Sequence, residues 1–314
     1  MDSIPGTPKI PALDNTFGAL LIGSMVGAAL WGVGTLQLYY YFYHYPKDRA
    51  WLKILVLIAW TFDTVQQALI GHVVYYYLVQ NYFNPANLDH YIWSQKYQSL
   101  FESLTSFCVQ SFFIFRIFKL SKGNLALCGV AMVLTLGKLG VGLVYFGRSV
   151  KIESITLAFQ QTHGISEAIN GATAGSDITI TLILCWLLFN SRSTVQQTNM
   201  VINKLIVYSI NTGALTSFCA ILTLILAKTM PTNFIYGAFY YLIARLYINS
   251  MLATLNARSS LAKNLGSVVV GGSSAKSPNR SGQSNDTSET AIHFRDPNVI
   301  TLTEVNAEGK HSLV

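Results

Sequence analysis

Phe17 to Tyr43 reads FGALLIGSMVGAALWGVGTLQLYYYFY, an unbroken stretch without a single Asp, Glu, Lys or Arg. As a helix rising 1.5 Å per residue it is about 40 Å long, more than a hydrocarbon core of about 30 Å requires. In lipid no water satisfies a backbone amide, so such a stretch crosses as a helix. Six further long, mostly apolar blocks follow, from about Trp51 to Tyr77, Tyr97 to Phe118, Leu125 to Gly147, Ile165 to Phe189, Val201 to Ala227 and Phe234 to Asn256, each with one or two charged residues.

The blocks are separated by short polar or basic segments, where Pro46, Asn84-Pro85 and Pro231 mark helix stops. None of the eight prolines lies inside a block. Tyr39-Tyr40-Tyr41, Tyr43, Tyr45 and Trp51 crowd one set of block ends, and Tyr75-Tyr76-Tyr77, Tyr91 and Trp93 another. Aromatic residues gathered at block ends read as the interfacial belt of a membrane protein. The fold class expected is all-α: a polytopic seven-transmembrane-helix bundle over 17–256.

Composition agrees. Of 314 residues, 51% are hydrophobic and 11% are charged, where a soluble domain carries about 25% charged residues. The net charge of +7 comes from Lys and Arg scattered through loops and tail, not from a basic face, so a nucleic-acid partner is not expected. Cys108, Cys128, Cys185 and Cys219 all lie in apolar blocks and give neither a disulfide frame nor a Cys-x-x-Cys metal spacing.

Lys and Arg also set the orientation. The first, third and fifth connections and the start of the tail hold Lys47, Arg49, Lys53, Arg116, Lys119, Lys122, Arg192, Lys204, Arg258 and Lys263. The other side holds Lys9, Lys96, Arg148, Lys151 and Lys228. The positive-inside rule then places a short N-terminus, 1–16, outside and the C-terminus in the cytosol. Met1 to Thr16 lacks the basic start and short apolar core of a cleaved signal, so the first span is expected to serve as an uncleaved one. Plasma membrane follows from this orientation, with an internal membrane as the alternative.

From 257 to 314 the chain turns to Ser, Gly, Asn, Thr and charge, too polar to offset its ordering entropy, and a disordered cytosolic tail is expected. The sequons at Asn279 and Asn285 would then go unused. The terminal Ser312-Leu313-Val314 offers a C-terminal ligand for a groove on a cytosolic partner.

Ionisable groups within the bilayer are costly and need partners, so each is a candidate. Asp63, Lys138, Asp177 and Arg245 all fall near the midpoints of their blocks, and Glu102 sits closer to the outer face. Gln95, Ser99, Glu102, Ser106 and Gln110 recur at steps of three and four, one inward-facing stripe of a helix. These charges could line a polar cavity for a small solute or protons, or pair off simply to fix helix register. Gly23 with Gly27, Ala28 with Gly32, Gly171 with Gly175, and Gly213 with Ser217 have the four-residue spacing that lets backbones approach. Only His72 among the histidines lies deep, and no His-Glu-x-x-His, Gly-x-Ser-x-Gly or phosphate-cradling loop occurs. No metal, no cofactor and no enzymatic activity are expected.

Ser176-Asp177-Ile178, Asn211-Thr212-Gly213, Thr216-Ser217 and the closing run from Tyr247 to Arg258, Tyr-x-Asn-Ser-x-Leu-Ala-x-Leu-Asn-x-Arg, resemble a membrane family abundant in mushroom-forming fungi. Its last three helices form a domain of unknown function numbered 6534, here about 165–258. The resemblance implies seven spans and a membrane location, and it implies no activity or catalytic residue. The last block has no lysine for a retinal Schiff base and no Asn-Pro-x-x-Tyr, and the third ends Phe115-Arg116-Ile117-Phe118 without an acidic-Arg-aromatic triplet. A receptor-like sensor, a small-solute or proton-coupled transporter, and a structural or scaffolding protein remain as function classes. Their partners would be the lipid bilayer, an unidentified small ligand and a cytosolic binder of the tail.

Overall fold

The computed structural model describes residues 14–81, 84, 87–192, 196–230 and 233–272, and among these every regular element is a helix. Seven α-helices follow in order: α1 Ala19–His44, α2 Ala50–Tyr75, α3 Trp93–Leu120, α4 Leu125–Ser149, α5 Ile155–Asn190, α6 Gln196–Thr229 and α7 Ile235–Gly272. A π-helical turn, Tyr76–Gln80, carries α2 a little further. The compact unit that holds the bundle ends at Val268.

Local chemistry sets the helix ends. At the close of α3, Lys122 and Gly123 take φ of 53° and 87°, and the Gly123 amide reaches back to the Phe118 carbonyl at 3.0 Å. That left-handed finish satisfies a terminal carbonyl and turns the chain toward α4. The Asn124 side chain then caps α4 by accepting from the Ala126 amide at 3.0 Å, and Ser154 caps α5 by accepting from Leu157 at 3.2 Å.

Six helical segments are long and apolar enough to cross a bilayer: Thr16–His44, Ala50–Gln80, Trp93–Leu120, Leu125–Ser149, Ile155–Asn190 and Ser209–Thr229. The protein is thus a multi-pass membrane protein. α7 is not among the six, because Arg245, Asn249 and a run of tyrosines dilute its apolar content. The reason such a composition is tolerated is its position. Residues 243–248 of α7 are buried without a break, which no lipid-facing helix could show. Its hydrogen bonds reach Leu30 on α1, Asp63 on α2, Glu102 on α3, Lys138 on α4 and Asp177 on α5.

The outer face of the bundle is apolar, and a polar seam runs through its otherwise apolar core. Leu36, Val133 and Leu182 point outward at 71%, 70% and 64% exposure, whereas Gln98, Ser99, Glu102, Ser106 and Gln110 of α3 are buried. Short links alternate helix direction, giving an amino face, where α1, α3, α5 and α7 begin, and a carboxyl face opposite. Rings of Phe17, Tyr77 and Phe234 meet at the amino face. At the carboxyl face Arg258 pairs with Asp48 at 2.5 Å, and Tyr41 donates to the same carboxylate at 2.9 Å.

Several boundaries move from those expected. α5 begins at Ile155, ten residues before the expected Ile165, because Gln160, Gln161, Thr162 and His163 read as a polar loop yet extend the helix. α7 continues past Asn256 to Gly272, so the expected disordered tail does not start at 257. The rest of that tail, with its sequons and Ser312-Leu313-Val314, lies outside the described residues, as do Lys9, Pro85 and Pro231. The four cysteines are free thiols.

The small-residue spacings divide into two kinds. A Cβ on Gly23 would stand 2.6 Å from the Ala238 Cα, and one on Gly213 would strike the Thr181 side chain, so both glycines set helix approach. Gly32, Gly171 and Gly175 face open space. Gly23→Ala forces α1 from α7 and should cost about 1–3 kcal/mol, measured as unfolding in mixed detergent micelles. Gly171→Ala, with room for its methyl group, should leave stability unchanged or raised by up to about 1 kcal/mol.

Candidate functional site

α3 and α7 present facing polar seams along the bundle axis. On α3, Gln95, Gln98, Glu102, Ser106 and Gln110 follow one another at helical steps, and on α7 Tyr236, Tyr240 and Tyr247 do the same. The five ionisable groups singled out in the sequence all meet these seams, and none is more than 5% exposed. They form two clusters and one isolated carboxylate rather than a single ring.

Arg245 and Asp63 are a direct ion pair between α7 and α2. The guanidinium also donates to the Asp63 carbonyl at 3.0 Å and, through Nε, to Gln67 Oε1 at 3.2 Å. Its Nη2 finds no acceptor among the described residues. Directed, charge-assisted bonds of this kind are what allow a guanidinium to remain in a dry interior.

Lys138 and Asp177 do not touch each other. Lys138 Nζ donates to Ser106 Oγ and, at 3.0 Å, to the Tyr247 hydroxyl. That hydroxyl donates in turn to the Asp177 carboxylate, 2.7 Å from each oxygen. Gln110 Nε2 donates to Asp177 Oδ1 at 3.0 Å, and the Thr216 hydroxyl bonds to the same group. Tyr247 is therefore the link between ammonium and carboxylate, joining α4, α7 and α5. Lys138 does not extend toward an interface; Gly142 instead lets α4 close on Ser103 of α3. Glu102 stands apart, receiving the Tyr240 hydroxyl at 3.3 Å. His72, the deep histidine, bonds Ser94 at 2.8 Å, and no group of metal-ligating side chains converges among the described residues.

Two adjoining hollows of about 80 and 90 Å³ open near the amino face and share Tyr91, Gln95, Tyr145, Ser166, Asn170 and Tyr236. The larger reaches Gln98 and Tyr240, directly above Glu102 in the seam. A third, of about 20 Å³, lies toward the carboxyl face between Asp177, Tyr247, Ser209 and Ser250. The paired charges thus separate space on two sides. The amino-face hollows escape a sequence reading because tyrosines near block ends read as interfacial belt. Tyr39, Tyr43 and Tyr75 do face outward, but Tyr91 and Tyr241 are buried walls.

A clasp closes over the hollows. Asp89, in the α2–α3 loop, accepts from Ser154 Oγ at 2.5 Å, Thr156 N at 2.9 Å and Thr156 Oγ1 at 2.7 Å. Backbone bonds Tyr91 N to Glu153 O and Ile155 N to Asp89 O, 2.6 and 2.7 Å, tie the same two loops. Burial works against the Asp89 carboxylate, but the bonds from Ser154 and Thr156 outweigh it and hold its pKa below the ordinary value of 3.8.

Residues 173–260 match a family of unknown function, DUF6534, spanning Asp177, Arg245 and Tyr247 and omitting most of the amino-face wall. No curated protein and no solved structure matches the chain.

Asp63→Asn leaves a buried guanidinium without its counter-charge and should cost about 3–5 kcal/mol in unfolding, while Asp63→Leu with Arg245→Met should recover most of that loss. The clasp has a defined pH response. Because Asp89 is held low, its contribution is complete above the ordinary carboxylate pKa and disappears as pH falls through its folded value. Hydrogen-exchange protection of the Thr156 amide should fall on acidification in the wild type and stay low and pH-independent in Asp89→Ala, which has no side-chain acceptor.

Proposed function

We propose that this is a receptor-like seven-helix membrane protein, in which a small solute occupies the tyrosine-walled hollows and the buried charges below register its presence. In this reading α7 is the seventh crossing, the amino face and its hollows open outward at the plasma membrane, and the tail meets a cytosolic partner. The role is binding, not catalysis, and calls for no cofactor.

The observation that carries the reading is the place of Tyr240. Its ring walls the larger hollow, while its hydroxyl holds Glu102, and two turns further along the same helix Tyr247 holds Lys138 and Asp177 together. A solute that displaces Tyr240 alters the partner of a buried carboxylate and the rotation of α7, to which Arg245 is also fixed. Buried polar networks change state in discrete steps because an unpaired member is costly, which makes such a contact suited to signalling.

A carrier is the second reading, favoured by the small hollow beyond the Asp177–Tyr247 contact. Alternating access would then require that contact to open. Flux into proteoliposomes distinguishes the two: a receptor gives none, and a carrier gives flux that Asp177→Asn abolishes.

The thermal midpoint of the purified protein should rise with one member of a panel of sugars, amino acids, amines, sterols and small neutral solutes. At a hundred times its Kd, such a ligand adds about 2.7 kcal/mol to the state that binds it. Asn170→Leu, which fills a wall shared by both hollows, should lose the shift. Asp177→Asn should change ligand affinity in the wild type and have no effect on it in Tyr240→Phe, since that double-mutant cycle isolates the coupling. Absence of any shift across the panel would sink the receptor reading in favour of a structural role.

A further inference from the structure

We infer that the amino-face hollows are a site for a small organic ammonium ion carrying at least one N–H. The inference rests on the reading of these hollows as the binding site and names the class of ligand they take.

The carrying observation is Glu167. Its side chain is 31% exposed as a whole, but Oε1 is shielded from solvent and receives no hydrogen bond, and the residue lies in the wall of the smaller hollow. Its nearest basic neighbours are His163 Nδ1 at 3.7 Å and Lys228 Nζ at 4.0 Å, both beyond hydrogen-bond length. Lys228 is 74% exposed, so water screens most of that attraction. A carboxylate oxygen removed from water without a donor is costly, and a ligand that supplies an N–H to it recovers the loss.

The rest of the wall favours a cation over an anion or a sugar. Four rings line the smaller hollow, those of Tyr91, Tyr145, Phe159 and Tyr236, with the Phe159 and Tyr236 centroids 6.5 Å apart. Aromatic faces attract an ammonium through the ring quadrupole, most strongly where water is excluded. Elsewhere in this protein the same pairing is made internally, with Lys138 Nζ 4.6 Å from the Tyr247 centroid; of the wall rings, Tyr91 already has Lys96 Nζ 5.4 Å from its centroid, which leaves Tyr145, Phe159 and Tyr236 to the ligand. No Lys or Arg lines either hollow among the described residues, and the one basic side chain in the wall, His163, already faces Glu167. At about 80 and 90 Å³ the hollows limit the occupant to a headgroup or a small amine.

Three probes of nearly one shape separate the contributions: tert-butylammonium has charge and N–H, tetramethylammonium has charge alone, and tert-butanol has neither charge nor N–H. Saturation-transfer NMR on the full-length protein in detergent should give affinities in that order, with tert-butylammonium about tenfold tighter than tert-butanol. Glu167→Gln should remove most of the advantage of tert-butylammonium over tetramethylammonium. Tyr236→Leu should weaken both cations and Tyr236→Phe, which keeps the ring, neither; circular dichroism and size exclusion would establish that each variant is folded. Equal binding of tert-butanol, or cation binding indifferent to Glu167→Gln and Tyr236→Leu, overturns the inference. If none of the probes binds while a neutral solute protects the wild type and not Asn170→Leu, the ammonium assignment falls and the cavity reading stands.

Discussion

The structure depends on keeping one polar helix out of lipid. α7 carries Arg245, Asn249 and four tyrosines from Tyr236 to Tyr247, and no arrangement that left such a helix at the lipid boundary could persist. The first five helices supply its partners, each with a polar group at the depth where α7 needs one. Asn249 shows the logic at small scale. Its side-chain amide donates to the Leu30 carbonyl of α1 at 2.9 Å and to the Arg245 carbonyl of its own helix at 2.8 Å, and its oxygen accepts from Gln37 at 3.2 Å. Apolar side chains cannot drive helix association here, because lipid is as apolar as they are; close backbone approach at Gly23 and Gly213 and bonds to α7 take that part.

The two ways of holding buried charge differ in what they permit. Arg245 and Asp63 form a direct contact with additional bonds to Gln67 and the Asp63 carbonyl, a contact with one geometry and a high cost of separation. Lys138 and Asp177 meet only through a phenol. A hydroxyl that accepts from one side and donates to the other can turn, and Lys138 can balance only one of the two carboxylates nearest it, Asp177 and Glu102. The first cluster fixes α7 against α2, and the second is the part of the seam that can change partners. That division places rigidity and adaptability on the same helix, two residues apart.

Much of this was legible in the sequence. Uncharged block length located the helices, and block midpoints gave a common depth for Asp63, Lys138, Asp177 and Arg245. The three- and four-residue steps of α3 placed Glu102, Ser106 and Gln110 on an inward stripe, and all three are buried. The pairing was not legible, because equal depth leaves open which helices adjoin and which long side chains meet. The start of α5 was not legible either, since a helix may continue beyond the hydrocarbon, where glutamine and histidine are no longer penalised. The hollows were hidden for a related reason: a tyrosine at a block end has the same sequence signature whether it faces headgroups, like Tyr75, or a neighbouring helix, like Tyr91. Tyr236 and Tyr240, one turn apart and opposite Gln95 and Gln98, were the available signal.

The two faces of the bundle are built differently, and the difference bears on what the protein does. At the carboxyl face the helices are locked: Arg258 holds Asp48 at 2.5 Å, stacks 4.4 Å from the Tyr45 ring centroid, and Tyr45 donates to the Asn256 carbonyl at 3.0 Å, while the Asn256 amide reaches the Gln37 carbonyl at 2.8 Å. At the amino face the helices part around tyrosines and amides, and only the Asp89 clasp and a few backbone bonds join the loops above. The larger hollows thus lie at one end, the paired charges in the middle and the lock at the other, and α7 is the helix common to all three, so a shift of α7 at any one level is felt at the others.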